Sequence, residues 1–297
     1  MTITRTGLAG SITPLPDPVP DVAGTTAPNR SSGSSDRRRA TAVTWALRAA
    51  SIGGALAAWY VLTERNVNAF VRFSKIPGPG EVLAELQRQM GDGELMGHVT
   101  ASTRRIGVGF LLAAVVGVAI GVLVGRSKVA GGLLRPVLEV VRPIPAIAWV
   151  PLAILLFPTS EQGILFITFL AAFFPVVVST RHAVEALPPV WEDAARTMGA
   201  GRLAVLWRVV LPAALPGVFS GLSVAMGVAW ICVVSAEMIS GQFGVGYYTW
   251  MSYGMINYAG VVVGMLTIGL LGLLTAAFVE LVGRRATRWL PKSAARR

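Results

Sequence analysis

The chain has 297 residues, of which 54% are hydrophobic and only 14% are charged, and it carries a formal net charge of +11. Soluble domains carry about 25% charged residues, so this composition argues against an ordinary soluble protein and indicates a membrane protein. The basic residues flank hydrophobic runs, so the positive charge predicts the cytoplasmic ends of membrane helices and no binding to nucleic acid.

Residues 1–41 are rich in Pro, Ser, Thr, Gly and Arg and lack an apolar core, so we predict a disordered tail. No apolar segment follows a charged start within it, so this tail does not have the form of a signal peptide. Arg37, Arg38 and Arg39 directly precede the first hydrophobic segment. We expect them to hold the N-terminus in the cytoplasm.

Six hydrophobic segments follow, and a membrane helix needs roughly 20 apolar residues. They predict transmembrane helices at about 43–63, 106–125, 136–157, 162–180, 217–236 and 260–279. The third segment contains Glu139, Arg142 and three prolines, which membrane helices tolerate because neighbouring groups satisfy the backbone. The predicted fold is therefore all-α, with six transmembrane helices in a domain at 42–290 and a basic tail at 291–297.

The segments between the predicted spans differ in charge. The stretch around 126–135 and the C-terminal end are strongly basic, and the 181–211 stretch has a small excess of bases, four arginines against three acids. The 239–259 stretch has no charge. The longer 64–105 stretch nearly balances six bases with five acids. The positive-inside rule then places the basic stretches and both termini in the cytoplasm.

A hydrophilic stretch, Trp191–Gly199, lies between two apolar segments. Two prolines at 188 and 189 suit the first turn of a helix. Glu192 and Asp193 fall in that turn, where the helix dipole favours negative charge, and Gly199 is a natural stop. We predict a cytoplasmic helix of about two to three turns. The plain interpretation is a solvated connector between two spans.

A second amphipathic segment follows the first. Its apolar face consists of Leu203, Leu206, Trp207 and Val210, while Arg202 and Arg208 lie off that face. Such a segment is predicted to lie on the membrane surface.

The hydrophilic stretch resembles the signature loop of importer-type ABC permeases, which reads Glu-Ala-Ala, three residues, Gly, nine residues, Ile, one residue, Leu-Pro. The matching residues here are Asp193, Ala194, Ala195, Gly199 and Val209-Val-Leu-Pro212. Asp replaces Glu at 193, with Glu192 adjacent, and Val replaces Ile at 209. In that family the loop is a coupling helix that docks on a cytoplasmic ATPase. The resemblance implies this role for Glu192, Asp193, Ala194, Ala195 and Gly199.

Two further stretches resemble the nitrate/sulfonate/taurine branch of the same family. They are Arg142-Pro-Ile-Pro-Ala-Ile-Ala-Trp-Val-Pro-Leu152, and Ala236-Glu-Met238 followed by Gly244-Val-Gly246. The branch often has a Trp-Phe-Gly turn after the third helix, but here Leu156-Phe-Pro-Thr159 stands in its place. The resemblance covers roughly 77–290.

The resemblance implies a type I ABC importer permease fold (MetI-like) in the bacterial cytoplasmic membrane. Two permease chains, as a homodimer, would pair with two ATPase subunits, and an outside binding protein would deliver a small anionic or sulfonate-like solute of the nitrate, sulfonate and taurine class. Val82, Leu83, Leu86 and Met90 recur at helical spacing after Pro77-Gly-Pro-Gly80. They predict an amphipathic helix on the outer face, or alternatively a landing surface for that binding protein.

The sequence offers no enzymatic motif. The three lysines, at 75, 128 and 292, follow Ser, Ser and Pro, so none lies in a P-loop. We therefore expect a non-catalytic subunit that binds no cofactor, with ATP and Mg²⁺ on the partner ATPase. His98 and His182 are predicted to be ordinary loop residues without metal-site spacing, and Cys232, as the only cysteine, has no disulfide partner within the chain.

Ionisable residues within membrane segments are functional candidates. Arg142 and Glu237 are candidates for the translocation pathway, whereas Glu139, three residues before Arg142, predicts a structural ion pair on one helix face. The residues leave other functions open. These are an ion-coupled secondary transporter with Glu237 or Glu139 as the ion site, a membrane scaffold without transport, and an ABC importer for a neutral heterocycle such as a thiamine precursor.

Overall fold

The structure, a computed structural model, describes residues 33–65 and 76–289. All regular structure in these two ranges is helical. The helices are α1 Gly33–Glu64, α2 Pro79–Asp92, α3 Glu94–Arg126, α4 Lys128–Val141, α5 Val150–Leu156, α6 Ser160–Glu185, α7 Pro189–Thr197, α8 Arg202–Val205, α9 Leu211–Ser240, α10 Val245–Gly254 and α11 Tyr258–Ala286. Of the described residues, those from Gly33 to Ala55 belong to one compact unit, and those from Leu56 belong to a second unit that contains α2 to α11.

The predicted fold class, an all-α membrane protein with six spans, is confirmed. Five continuous helices are long and apolar enough to cross a membrane, and they lie at Ala42–Glu64, Glu94–Arg126, Ser160–Glu185, Arg202–Ser240 and Tyr258–Ala286. The sixth candidate span is a broken pair, Lys128–Val141 and Ala146–Leu156, bent by 83°. The predicted third span at about 136–157 therefore corresponds to two helices with a bend between them.

The ends of the chain differ in part from the predicted tails. The backbone is already helical from Gly33, so α1 begins within the segment predicted to be a disordered tail at 1–41. The remaining part of that tail, at 1–32, and the predicted basic tail at 291–297 lie outside the described residues.

Helices α3, α6 and α9 form the centre of the second unit, because small residues let their backbones approach closely. A Cβ at Gly117 would lie 2.9 Å from Val176, and one at Gly121 would lie 2.6 Å from Thr180 on α6. These positions follow one another at helical spacing along one face of α3. The side chains packed between the three helices are mainly apolar.

The fifth span is longer than predicted and includes the second amphipathic segment. The chain continues from α8 through a π-helical turn at Leu206–Val210 directly into α9. Val205 and Val210 are fully buried, whereas Leu203 and Trp207 are exposed. The segment is the first part of the span helix rather than a separate surface helix, and that prediction is wrong.

The amphipathic helix predicted after the Pro-Gly pairs is present as α2. It begins at Pro79, and its Val82 is buried against Leu95, Tyr248 and Val263. Leu83 and Met90, which are 56% and 64% exposed, face away from this small core. Only part of the predicted apolar stripe is therefore covered within the chain.

Candidate functional site

The predicted cytoplasmic helix is α7, Pro189–Thr197. Pro188 stands at its N-cap and Gly199 follows its end with φ +85°, the left-handed conformation that reverses the chain. The N–H of Gly199 donates to the carbonyl of Arg196 at 2.9 Å. The helix start and stop therefore have the residues that the sequence predicts for them.

The five predicted coupling residues do not share one face of α7. Asp193 and Ala194 are exposed, whereas Ala195 is only 8% exposed and packs into the core. The Glu192 carboxylate points back to α3, where Arg126 Nη2 donates to Glu192 Oε2 at 2.8 Å. Glu192 and Ala195 thus attach α7 to the bundle, whereas Asp193 and Ala194 face outward. The apolar side chains of Val190, Trp191 and Met198 are also exposed.

The predicted pathway residue Arg142 lies at the break between α4 and α5. Pro143 and Pro145 follow it, and proline cannot continue a helix because it lacks an N–H and its ring clashes with the preceding turn. The bend leaves a cavity of about 560 Å³ between this segment, α6 and α9. Among the residues that the structure describes, Arg142 is the only charged side chain that lines this cavity, and Ser179 and Cys232 are among its few polar groups.

The predicted ion pair between Glu139 and Arg142 is absent, although both residues are described. The Arg142 side chain has no hydrogen bond or ion pair within the described part of the chain. The helix ends at Val141, and Arg142 turns with the bend to the cavity wall. Its guanidinium therefore keeps its donors available.

The second predicted pathway residue, Glu237, is fully buried and does not line this cavity. Its Oε1 accepts from Ser102 Oγ at 2.7 Å and from Arg105 Nη1 at 2.8 Å. Its Oε2 accepts from the N–H of Gly246 at 2.9 Å. The structure thus separates Arg142 from Glu237 and places Glu237 in a polar cluster of Ser102, Arg105, Glu161 and Glu237, which we call the Arg105 cluster.

Arg105 joins three helices and a turn at this cluster. Its Nη1 also donates to the Phe243 carbonyl at 2.7 Å, and its Nε donates to Glu161 Oε2 at 2.9 Å. These bonds connect α3 with the start of α6, the end of α9 and the turn before α10. The buried carboxylate of Glu237 and the partly exposed carboxylate of Glu161 both accept hydrogen bonds from these donors, which makes burial of the Arg105 and Glu237 charges tolerable.

Sequence reasoning missed Ser102 and Arg105 and misplaced both histidines. His98 lies in α3 and His182 in α6, so neither is a loop residue. His98 is 2% exposed, its Nδ1 accepts from the Gly244 N–H at 3.1 Å, and its ring stacks on Phe243. The sequence signal that could have identified these residues is the spacing of positions 98, 102 and 105, which share one face of a helix.

Helix α2 is attached to the start of α11 by a second polar contact. Glu85 Oε1 accepts from Arg88 Nη2 at 2.7 Å and from Asn257 Nδ2 at 2.9 Å. The hydrogen bond from Arg88 is the main reason that the pKa of Glu85 falls to about 2. Glu85 therefore stays ionised over the physiological pH range. Within 33–65 and 76–289, no group of three or more His, Cys, Asp or Glu is placed to hold a metal ion.

The class of protein follows from the fold and from comparison with known proteins. A family model described as "Binding-protein-dependent transport system inner membrane component" matches residues 115–288. The solved structure of the MetNI methionine ABC transporter in an inward-facing conformation contains a chain with a TM-score of 0.52 and 21% identity, over 66% of this chain and 95% of that one. This likeness concerns the fold.

The chain is also similar in sequence to permease proteins of known transport systems. The nitrate import permease protein NrtB of Leptolyngbya laminosa is 34% identical over 65% of this chain and 70% of its own length. The bicarbonate transport system permease protein CmpB of Synechococcus elongatus is 30% identical over 79% of this chain and 87% of its own. This chain belongs to the family of inner-membrane components of binding-protein-dependent transport systems, as a permease of the ABC importer type.

Proposed function

We propose that this chain forms the translocation pathway for a small oxyanion in an ATP-driven importer. The observation that supports the proposal is Arg142, which within the described ranges has no ion pair and is the only charged side chain on a cavity of about 560 Å³. A guanidinium fork is suited to oxyanions because it donates two parallel hydrogen bonds. Two relatives are named for nitrate and bicarbonate, which are both small oxyanions. Sulfonates such as taurine are the larger members of the class that the sequence motifs suggested.

The proposed assembly has two copies of this chain, two ATPase subunits and an extracytoplasmic binding protein in the bacterial cytoplasmic membrane. ATP and Mg²⁺ would bind to the ATPase, with no cofactor on this chain and both termini in the cytoplasm. Exposed apolar side chains on and beside α7, at Val190, Trp191 and Met198, support docking of a protein partner there. Asp193 and Ala194 share this exposed side.

An ion-coupled mechanism receives less support from the geometry. Glu237, one of the two carboxylates considered as an ion site, already accepts from Ser102, Arg105 and the Gly246 backbone. A transported cation at Glu237 would have to displace the Arg105 guanidinium. A neutral heterocycle as the solute is the alternative that the following experiment separates from an oxyanion.

The test is uptake into proteoliposomes that contain the permease with its ATPase and binding protein. Nitrate, bicarbonate, taurine and a thiamine precursor are compared as solutes, first with the wild type. We expect Arg142→Gln to lower oxyanion uptake by about tenfold or more, since a hydrogen bond to a charged group is worth about 1.5–3 kcal/mol. Arg142→Lys should retain part of the uptake because it keeps the charge.

The matched control is Arg284→Gln, since Arg284 is exposed and, within the described part of the chain, forms an ion pair only with Glu280 on its own helix. The control should transport normally, and all variants should co-purify with the ATPase. Normal oxyanion uptake by Arg142→Gln, or uptake of the neutral solute alone by the wild type, would contradict the proposed function.

A further inference from the structure

A second, smaller cavity lies between α4 and α6 and is walled by three arginines. Its volume is about 50 Å³. Arg135 and Arg142 stand seven residues apart on the α4 side, and Arg181 stands on α6. The remaining wall consists of Glu139 and four apolar side chains, Leu138, Phe174, Val177 and Val178. Arg135 and Arg181 belong to the stretches predicted to be cytoplasmic, whereas Arg142 belongs to the predicted third span, where charges are costly and mark ion pathways. The cavity thus joins these three guanidinium groups in a small space.

The two cavities meet at Arg142. Arg142, Phe174 and Val178 line both of them. Helix α6 runs from Ser160 to Glu185 and then leads into α7, so Arg181 lies near the α7 end of α6. The small cavity therefore lies between the large cavity and the coupling helix, on the side toward which an imported solute would leave.

The donors of this cavity are only partly occupied. Arg135 Nη2 donates to Glu185 Oε1 at 2.8 Å, and Arg181 Nη2 lies 2.9 Å from His182 Nε2. The buried Nε of Arg181 has no hydrogen-bond partner and lies 3.7 Å from Glu185. A buried donor without an acceptor is costly, so this atom is suited to an incoming acceptor.

The charges also favour an anion. Three arginines, Arg135, Arg142 and Arg181, stand against two carboxylates, which leaves one positive charge uncompensated. Glu139 lines the cavity, and Glu185 pairs with Arg135 and Arg181. Glu139 has no ion pair within the described ranges, so it opposes an anion rather than neutralising a particular arginine. A single negative charge would balance this group of five side chains.

The size of the cavity limits the ligand. A single water molecule needs about 10–15 Å³, so a space of about 50 Å³ takes only a few groups of that size. Nitrate and bicarbonate are compact and planar, whereas taurine carries an aminoethyl chain beyond its sulfonate. The space therefore suits the compact oxyanions better.

The geometry points to an anion-binding exit site formed by Arg135, Arg142 and Arg181, which takes a compact monovalent oxyanion after it leaves the large cavity. This inference rests on the proposed function, because it assumes that the solute is an anion. It adds a second binding site, the residues that form it, and a preference for compact oxyanions over longer sulfonates.

The experiment measures nitrate binding to the purified permease–ATPase complex in nanodiscs, without the binding protein, by isothermal titration at constant ionic strength. We expect Arg181→Gln and Arg135→Gln each to weaken nitrate binding by about tenfold or more, and Arg181→Lys to weaken it less. Glu139→Gln should strengthen binding several-fold, because it removes the opposing charge. A merely structural role would not produce this gain. Taurine should compete with nitrate poorly.

The control is again Arg284→Gln, which should bind nitrate as the wild type does. Co-purification with the ATPase shows that each variant is assembled, and if Arg181→Gln fails to assemble, the partly exposed Arg135 and Glu139 variants decide the question. Unchanged nitrate affinity in the Arg135 and Glu139 variants overturns the exit site. If Arg142→Gln alone loses nitrate binding, the exit site is overturned but the proposed function stands, because nitrate then binds in the large cavity alone. Transport of a neutral solute without any nitrate binding overturns both.

Discussion

At the level of single residues, the contacts of the Glu237 carboxylate explain why the sequence stretches at 236–238 and 244–246 occur together. A Cβ at Gly244 would overlap this carboxylate, and a Cβ at Gly246 would run into the Val234 carbonyl. The turn between α9 and α10 can close over Glu237 only because both positions are glycine. The Ala236-Glu-Met238 and Gly244-Val-Gly246 stretches are thus two halves of one structural unit, in which Arg105 supplies the counter-charge.

We predict that Glu237→Gln destabilises the protein strongly. Breaking a buried ion pair costs about 3–5 kcal/mol, because the remaining charge stays buried with fewer partners. The measurement is thermal unfolding of the purified permease in detergent. The matched control is Glu280→Gln, since Glu280 and Arg284 form an exposed pair worth about 0.3–0.5 kcal/mol. Equal unfolding temperatures for the two variants would show that the Arg105 cluster contributes little.

A second residue-level prediction concerns Gly199, whose φ of +85° is unfavourable for a residue with a Cβ. Gly199→Val should strain the turn after α7 by about 1–3 kcal/mol and misdirect the helix. We expect near-normal abundance in the membrane but weaker co-purification with the ATPase, or less solute imported per ATP hydrolysed. Gly201→Ala is the control, because among the described residues, its chain neighbours aside, no atom lies within 4 Å of its Cβ position, and its φ is −69°. If Gly199→Val couples as well as this control, α7 is only a connector.

At the level of helices, local signals predicted some elements well. The prolines at 188 and 189 and the glycine at 199 gave the bounds of α7, because their effects act on neighbouring backbone. The third span was harder. Hydropathy over 136–157 shows an apolar segment, but it does not show that the prolines after Arg142 divide it with an 83° bend.

Contacts between distant parts of the chain could not be predicted from local pattern. Arg105 and Glu237 are separated by 132 residues, and Arg126 and Glu192 by 66. The sequence showed Glu237 only as a charge near the end of a span, so its pathway role was inferred from depth rather than from partners. Similarly, Ala195 resembled a docking residue, but its neighbours in space bury it.

The ion pair between Arg126 and Glu192 predicts mechanical coupling between α3 and α7. Glu192 is 14% exposed in its side chain, so the pair is partly shielded from water. We expect Arg126→Gln and Glu192→Gln each to lower uptake per ATP hydrolysed, and the double variant to be no worse than either single one. The measurement is a double-mutant cycle in proteoliposomes. Arg196→Gln should have a smaller effect, because its contact with Glu192 is longer, at 3.5 Å. Strictly additive losses would show that the two residues act independently.

At the level of the whole second unit, α3 connects the two regions that the polar contacts define. Its Arg105 belongs to the cluster with α6, α9 and α10, and its Arg126 holds α7. The rise between these two arginines is about 31 Å at 1.5 Å per residue, close to the roughly 30 Å of the bilayer core. The intervening stretch carries no charge. A movement of α7 can therefore reach the opposite side of the unit through one continuous helix.

We predict that α7 lies in the cytoplasm and α2 outside, and that both termini are cytoplasmic, because the positive-inside rule favours this orientation. The test uses single cysteines at positions 5 and 295 in a Cys232→Ala background, since Cys232 is the only native cysteine. A membrane-impermeant maleimide added to intact cells should label neither position and should label both after permeabilisation. Asp92→Cys on α2 is the control, because its side chain is 61% exposed, and it should react in intact cells. Labelling at 5 or 295 from outside, or protection of position 92, would reverse the orientation and place α7 on the side where no ATPase can reach it.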